Sequence, residues 1–123
     1  MEIWINPACS KCRSAKAALD EAGIEYVERR YLDEPPTVAE LSDVLDRMGL
    51  DPWDIVRINE PIAKELDLKS WGREPSDHTR WIDAMVANPK LIQRPIITAS
   101  DATTVVARDA ETLDDVIAHE TGR

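Results

Sequence analysis

The sequence lacks a long apolar segment anywhere along its 123 residues. Residues 1–25 include Glu2, Asp20 and Glu21, and they contain no apolar run of the length that a secretory signal peptide requires. No stretch approaches the roughly 18 apolar residues of a membrane-spanning helix. These absences predict a protein that is neither secreted nor bound to a membrane, and we expect it in the cytoplasm.

Cysteine and histidine are also scarce, with 2 residues of each. Thiols are kept reduced in the cytoplasm, so the two cysteines are not expected to form a permanent structural disulfide. A zinc site built on both cysteines would need two further ligands, and His78 and His119 have no suitable spacing or partner. The sequence therefore predicts neither a metal ion nor a bound cofactor.

Positive charge is limited, because 15 Lys and Arg residues face 24 Asp and Glu residues and leave a formal net charge of −9. A negative field of this kind repels phosphate backbones and argues against direct nucleic-acid binding. A small oxyanion could still be held by a few well-placed arginines. The hydrophobic fraction of 43% and the charged fraction of 32% are typical of a globular protein.

The apolar pattern predicts the order βαβ, a helical middle and ββα. Thr37 and Glu40 have the spacing of a capping box, Ser76 is a plausible N-cap, and Asp109 is placed to cap the last helix. The predicted elements are a strand at 1–5, a helix that Gly23 ends, a strand at 25–32, helices at 37–49 and 76–88, strands at 95–98 and 103–107, and the final helix.

A βαβ half joined to a ββα half around one sheet is the thioredoxin-like arrangement. The predicted fold class is therefore α/β, with a four-stranded mixed sheet and a helical insertion at about 36–90. We expect one domain over residues 1–123, because the chain has the length of a single domain and contains no linker or internal repeat. We also expect a monomer.

The strongest chemical signal is the motif Cys9-Ser10-Lys11-Cys12, where the first strand meets the first helix. A cysteine at a helix N-terminus has its thiolate stabilised by unpaired amides and by the helix dipole. Cys12 lies one turn further on the same face and could attack an adduct formed on Cys9. Arg13 adds positive charge nearby. The alternative is a pair of inert buried cysteines.

A second signal is Arg94-Pro95, directly before a predicted strand. In a thioredoxin-like sheet a proline at this point is commonly cis and faces the cysteine motif. The arginine beside it could then reach a substrate anion bound at Cys9. The alternative is an ordinary surface arginine before an edge proline.

Taken together, these residues resemble the glutaredoxin-type arsenate reductases, the ArsC family. The resemblance runs from about residue 2 to about residue 118 and rests on Asn6-Pro7-Ala8-Cys9, Arg57, Arg94-Pro95-Ile96 and Arg108. It implies that Cys9 is the nucleophile, that three arginines bind arsenate or a similar oxyanion, and that Asn6, Arg13 and Pro95 support the site. It further implies glutathione or another thiol as co-substrate, and a reductant of the glutaredoxin or thioredoxin type.

Two positions depart from the family pattern. Cys12 stands where the members that use glutathione usually have no cysteine, so an internal thiol could close a Cys9–Cys12 disulfide. Ile5 stands where well-studied members have a histidine that helps to tune the cysteine. Two other functions stay open: a redox-sensing regulator that binds RNA polymerase, like the similar Spx proteins, and a glutathione-dependent thiol reductase.

Overall fold

The computed structural model of the protein describes residues 1–122. Within this range one mixed sheet contains four strands in the order β2-β1-β3-β4. β1 pairs with β2 in parallel and with β3 antiparallel, and β3 pairs with β4 antiparallel. The strands are β1 (Glu2–Ile5), β2 (Val27–Arg30), β3 (Ile96–Thr98) and β4 (Thr104–Val106). The predicted α/β class and mixed sheet are confirmed.

The helices follow the predicted order. They are α1 (Ser10–Glu21), α2 (Val38–Met48), α3 (Pro61–Glu65), α4 (His78–Ala87) and α5 (Ala110–Thr121). Among residues 1–122, none of the helices combines the length and the apolar character needed to cross a membrane.

The described part of the chain divides into two compact units. The first contains residues 1–34 and the chain from Arg94 onward, and so holds the sheet with α1 and α5. The second contains residues 35–93 and holds α2, α3 and α4. The bounds of this second unit, residues 35–93, lie close to those of the helical insertion predicted at about 36–90. The expectation that the chain forms one domain stays a prediction.

The core of the first unit joins the sheet to one face of α1. Ile3 of β1 lies opposite Ile97 of β3, and both side chains are fully buried. Cys12, Ala15 and Leu19 recur every three or four residues along α1 and pack into the same cluster, which also contains Cys9. Packing of the core therefore determines where both sulfur atoms lie.

Side-chain caps mark the start of two helices, α2 and α5. The hydroxyl of Thr37 accepts a hydrogen bond from the Glu40 amide at 3.1 Å, and the Glu40 carboxylate accepts one from the Thr37 amide at 3.0 Å, as predicted. Asp109 caps α5 by accepting from the Thr112 amide at 2.8 Å.

The prediction that Ser76 caps α4 is wrong. Residues Pro75–Asp77 form a 3₁₀ turn of their own, and α4 begins only at His78. The reason is local, because the Asp77 carboxylate accepts from the Glu74 amide at 3.0 Å and thereby closes this turn ahead of the helix.

Removal of the capping box at α2 should destabilise the protein measurably. We expect Thr37→Ala to lower the free energy of unfolding by about 1 kcal/mol, because the Glu40 amide loses its acceptor. The midpoint of urea denaturation measures this change. Thr37→Ser keeps the hydroxyl and should stay close to the parent protein, and an equal loss in both variants would contradict a capping role.

Candidate active site

Cys9 is the N-cap residue of α1, with extended backbone angles of φ −86° and ψ 125°. β1 ends at Ile5, and the chain reaches the helix through a tight loop that Asn6 organises. The Asn6 carbonyl accepts from the Cys9 amide at 2.9 Å, and the Asn6 side-chain oxygen accepts from the Ala8 amide at 3.0 Å. The structure thus places Cys9 where helix amides lack helical carbonyl partners.

Arg13 holds the same loop from the helix side. Its Nη1 donates to the carbonyl oxygens of Pro7 and Ala8, at 3.3 Å each. Arg13 lies one helical turn after Cys9 and remains exposed. It therefore contacts the loop before Cys9, while the supporting role that the resemblance implied for it stays a prediction.

The environment of Cys9 favours the thiolate. Burial of the thiol raises its pKa and is the largest single influence. The amide and the thiol of Cys12, the Arg94 guanidinium and the Lys11 amide all act in the opposite direction. Together they lower the pKa of Cys9 from 9.0 to about 7. A substantial fraction of Cys9 is therefore ionised near neutral pH, as a nucleophile requires.

Cys12 has the opposite character. Its side chain is 0% exposed, compared with 7% for Cys9. Burial raises the pKa of Cys12 to about 11, and the hydrogen bond with Cys9 and the negative charge of that neighbour add to this effect, while the Asn6 amide and Arg94 oppose it. The Asn6 amide donates to the Cys12 sulfur at 3.5 Å. Cys9 therefore ionises near neutral pH, whereas Cys12 remains a thiol.

Arg94 and Arg108 come together in the first unit. The Arg94–Pro95 peptide bond is cis, as the sequence led us to expect. Arg94 lies close enough to Cys9 to lower its pKa, and its Nε is buried. Arg108 donates from Nη1 to the Arg94 carbonyl at 2.7 Å, next to the bond from the Ala107 amide to the Pro95 carbonyl at 3.0 Å.

Arg57 belongs to the second unit. Its amide donates to the Leu91 carbonyl at 2.7 Å, beside the antiparallel bridge between Val56 and Ile92. Its guanidinium pairs with Glu60 at 2.5 Å and donates to the Lys90 carbonyl at 3.3 Å. The predicted contact of Arg57 with a substrate anion stays a prediction.

The sequence reasoning missed a cleft of about 310 Å³ beside the loop before Cys9. Lys16 of α1 and Arg30 of β2 line it, and both pair with Glu28, at 2.8 Å and 3.1 Å. No sequence signal connected these residues, because pairing of β1 with β2 is what brings β2 beside the loop. Ile5 lines the same cleft and is buried in the core. An apolar side chain therefore occupies the position where well-studied members of the family have a titratable histidine.

Groups of three or more His, Cys, Asp or Glu side chains that could hold a metal ion are absent from residues 1–122. The reactive groups that the structure brings together are the two thiols and the neighbouring Arg94 guanidinium. A thiolate beside fixed positive charge can attack an electrophilic oxyanion, and a second thiol can then attack the resulting adduct.

Alkylation of Cys9 by iodoacetamide should show the lowered pKa directly. We expect the rate to rise through a midpoint near pH 7 and to level off above it, because only the thiolate reacts. Mass spectrometry after timed quenching measures the rate. Cys12→Ala removes a thiol that lowers the pKa of Cys9, so its midpoint should move upward. A midpoint near 9 in the parent protein would contradict the electrostatics of the site.

Comparisons with known proteins extend over nearly the whole chain. The model of the ArsC family matches residues 4–116. The arsenate reductase of Neisseria meningitidis serogroup A is 34% identical over 119 residues, which cover 95% of this chain and 97% of that protein. A Streptomyces viridochromogenes protein, called an uncharacterized protein in the glnII region, is 56% identical over 117 residues, or 95% of this chain and 98% of its own.

A solved structure of an arsenate reductase is similar to this chain over nearly its whole length. The arsenate reductase from Vibrio cholerae superposes with a TM-score of 0.74 at 32% sequence identity, over 95% of this chain and 96% of that chain. The thioredoxin-like fold predicted from the sequence is thereby confirmed.

Proposed function

The chain belongs to the ArsC family, and on this basis we propose that it is an oxidoreductase that reduces arsenate to arsenite through a covalent adduct on Cys9. One observation carries the proposal: Cys9 is an N-cap thiol with a pKa of about 7, next to Arg94. Arg108 is bound to the backbone of the same arginine. Relatives named arsenate reductase at 34% and 32% identity support the choice of substrate.

The first step is attack of the Cys9 thiolate on arsenic. A sulfur–arsenic bond forms, and one arsenate oxygen leaves as water after protonation. Arginine suits the oxyanion because its planar guanidinium stays charged and donates two parallel hydrogen bonds. Arg94 and Arg108 would supply this charge within the first unit, and the resemblance assigns the same task to Arg57.

The second step needs another thiol, which attacks the Cys9 sulfur. A disulfide forms, the sulfur–arsenic bond breaks, and arsenic takes the electron pair and leaves as arsenite. Glutathione or another small thiol fits this description, with a glutaredoxin or thioredoxin-type protein to regenerate Cys9. Because the reaction consumes free thiols, we place it in the cytoplasm, where thiols are kept reduced.

A second function, thiol-dependent reduction of disulfides, is favoured by the separation of the two cysteine pKa values, at about 7 and about 11. A reactive thiolate paired with a buried thiol suits that reaction as well. The adjacent Arg94 and Arg108 favour arsenate, because a neutral disulfide makes no use of two guanidinium groups. An Spx-like regulator stays a hypothesis: it would use the two cysteines as a redox switch, and it would need no catalysis.

The test is arsenite production by the purified protein with glutathione and glutaredoxin, and separately with a thioredoxin system. We expect arsenite in at least one of these mixtures. Phosphate should inhibit without being turned over, because it has the shape of arsenate but accepts no electrons from thiols. Absence of arsenite in every mixture, with Cys9 reduced and reactive towards iodoacetamide, would overturn the proposal in favour of the disulfide reductase or the regulator.

A further inference from the structure

We propose that Cys12 is the resolving thiol of this reaction, so that one reduced chain converts one arsenate to arsenite without any external thiol. The inference rests on the proposed function and names the group that completes it. It also predicts the class of reductant, because an enzyme that ends its cycle as an internal disulfide needs a dithiol of the thioredoxin type.

Position is the first support for this assignment. Cys12 follows Cys9 by one helical turn, and the two thiols lie close enough for each to change the pKa of the other. Both belong to the apolar cluster of the first unit. The Asn6 amide holds the Cys12 sulfur in addition, at 3.5 Å. Cys12 is therefore within reach of an adduct on Cys9 before any second molecule binds, and this proximity favours intramolecular attack.

Accessibility supports the same conclusion. Cys12 is 0% exposed, so it cannot react with solutes as long as α1 remains folded. A thiol that is shielded from solvent can react only with a neighbouring group, and the Cys9 sulfur of the adduct is the electrophile within its reach.

The step balances in atoms and electrons. The Cys12 sulfur attacks the Cys9 sulfur of the adduct, so a sulfur–sulfur bond forms and the sulfur–arsenic bond breaks. The electron pair of the broken bond stays on arsenic, which passes from arsenic(V) to arsenic(III), and each cysteine is oxidised by one electron. The Cys12 proton ends on an oxygen of the released arsenite. The dithiol reductant later returns two electrons and two protons to the disulfide.

Adduct formation would itself activate Cys12. In the resting protein, burial raises the pKa of Cys12, and the hydrogen bond to Cys9 and its negative charge raise it further. Once Cys9 is bonded to arsenic, its thiolate no longer exists, while the Asn6 amide and Arg94 continue to lower the pKa of Cys12. Where the neighbouring arginines neutralise the oxygens of the adduct, the pKa of Cys12 should fall, and a larger fraction of Cys12 would be thiolate for the attack on Cys9.

A single turnover tests the proposal. Fully reduced protein is mixed with arsenate in the absence of thiols, and arsenite and intact mass are measured. We expect one arsenite per chain and a product lighter by two hydrogens. Cys12→Ala and Cys12→Ser should release no arsenite until glutathione is added. Ala15→Ser is the matched control, since it introduces a hydroxyl at another fully buried position of α1 and should keep the complete burst.

A second readout separates this inference from the proposed function, because it uses no arsenate. A chromogenic aromatic disulfide, in excess over reduced protein, should release two thiolates per chain from the parent and only one from Cys12→Ala, which retains the mixed disulfide. Arsenite that forms only with glutathione, together with one thiolate per chain, would overturn the inference and leave the proposed function standing. Release of two thiolates per chain, with no arsenite under any condition, would overturn both the proposed arsenate reduction and the inference that Cys12 resolves the arsenic adduct.

The activation of Cys12 has its own test. Ultraviolet absorbance of the thiolate reports the pKa of Cys12 in Cys9→Ser and Cys9→Asp. We expect the pKa to fall below about 11 in Cys9→Ser, because the neighbouring charge is gone, and to stay high in Cys9→Asp, where a carboxylate replaces the thiolate. Equal values in the two variants would overturn the activation step.

Discussion

Cys9→Ser should abolish arsenite formation, with a loss of roughly 10⁴-fold or more, the scale on which removal of an enzyme's nucleophile acts. The physical reason lies in ionisation. The site lowers the pKa of the Cys9 thiol to about 7, whereas a serine hydroxyl in the same place stays protonated and is a poor nucleophile towards arsenic. The measurement is steady-state arsenite production with the reductant that supports the parent protein.

The same variant should still bind the oxyanion. Arg94 and Arg108 are unchanged in Cys9→Ser, so calorimetry should show binding of arsenate or phosphate with an affinity close to that of the parent. Thermal unfolding should also be similar, because serine replaces sulfur at a position at the edge of the core. Retention of arsenite formation by Cys9→Ser would contradict the assignment of the nucleophile.

Arg94→Ala should lower arsenate turnover by roughly 10²- to 10³-fold, the magnitude typical of removing one charged donor from a developing oxyanion. Two effects contribute. The substrate loses a bidentate partner, and Cys9 loses a positive charge that lowers its pKa. Arg108→Ala should have a similar effect, because Arg108 also donates to the Arg94 carbonyl and so holds that segment.

The pH dependence separates the two contributions of Arg94. The variant should react with iodoacetamide more slowly than the parent near pH 7, because its Cys9 has a higher pKa, and the difference should vanish above about pH 9, where both thiols are ionised. Arsenate turnover should remain low at either pH. Arg94→Lys should restore alkylation but not turnover, because lysine keeps the charge and loses the planar fork.

Arg80→Ala is the matched control for charge, since Arg80 is an exposed arginine of the second unit. It lowers the net charge by the same amount and should leave both rates unchanged. If alkylation and turnover of Arg94→Ala recovered together at high pH, Arg94 would act on the thiolate alone and the oxyanion contact would be wrong.

Local chemistry explains which parts of the structure were predictable. The capping box at Thr37 and the cap at Asp109 depend on neighbours three residues away, and both were predicted. The start of α4 was not, because Ser76 has the side chain of an N-cap but lies inside a turn that Glu74 and Asp77 close. Where two capping signals overlap, only the three-dimensional structure shows which of them begins the helix.

Contacts between distant parts of the sequence were predictable only through the inferred fold or the family resemblance. No residue near Arg94 in the sequence indicates a contact with Cys9, and hydrophobic periodicity alone predicts that Arg94 is a surface residue. Pairing of β3 with β1 brings the segment that begins at Arg94 beside the end of β1 and hence towards the loop of Cys9. The ion pair of Arg57 with Glu60 illustrates the limit, because the resemblance named this arginine without indicating its partner within the second unit.

The sequence by itself determined that Cys9 begins a helix and that Cys12 follows one turn later, because a strand, a short Asn6-Pro7-Ala8 loop and an amphipathic helix are specified by neighbouring residues. The place of Cys9 at the helix N-terminus also predicted it to be the thiolate. Only the tertiary structure decided how far apart the two pKa values lie, at about 7 for Cys9 and about 11 for Cys12. Burial is the largest influence on both pKa values and is more complete for Cys12, whereas the amide and the thiol of Cys12 lower the pKa of Cys9. Electrostatic energies depend on distance in space and on exposure to water, and neither quantity is contained in the order of residues.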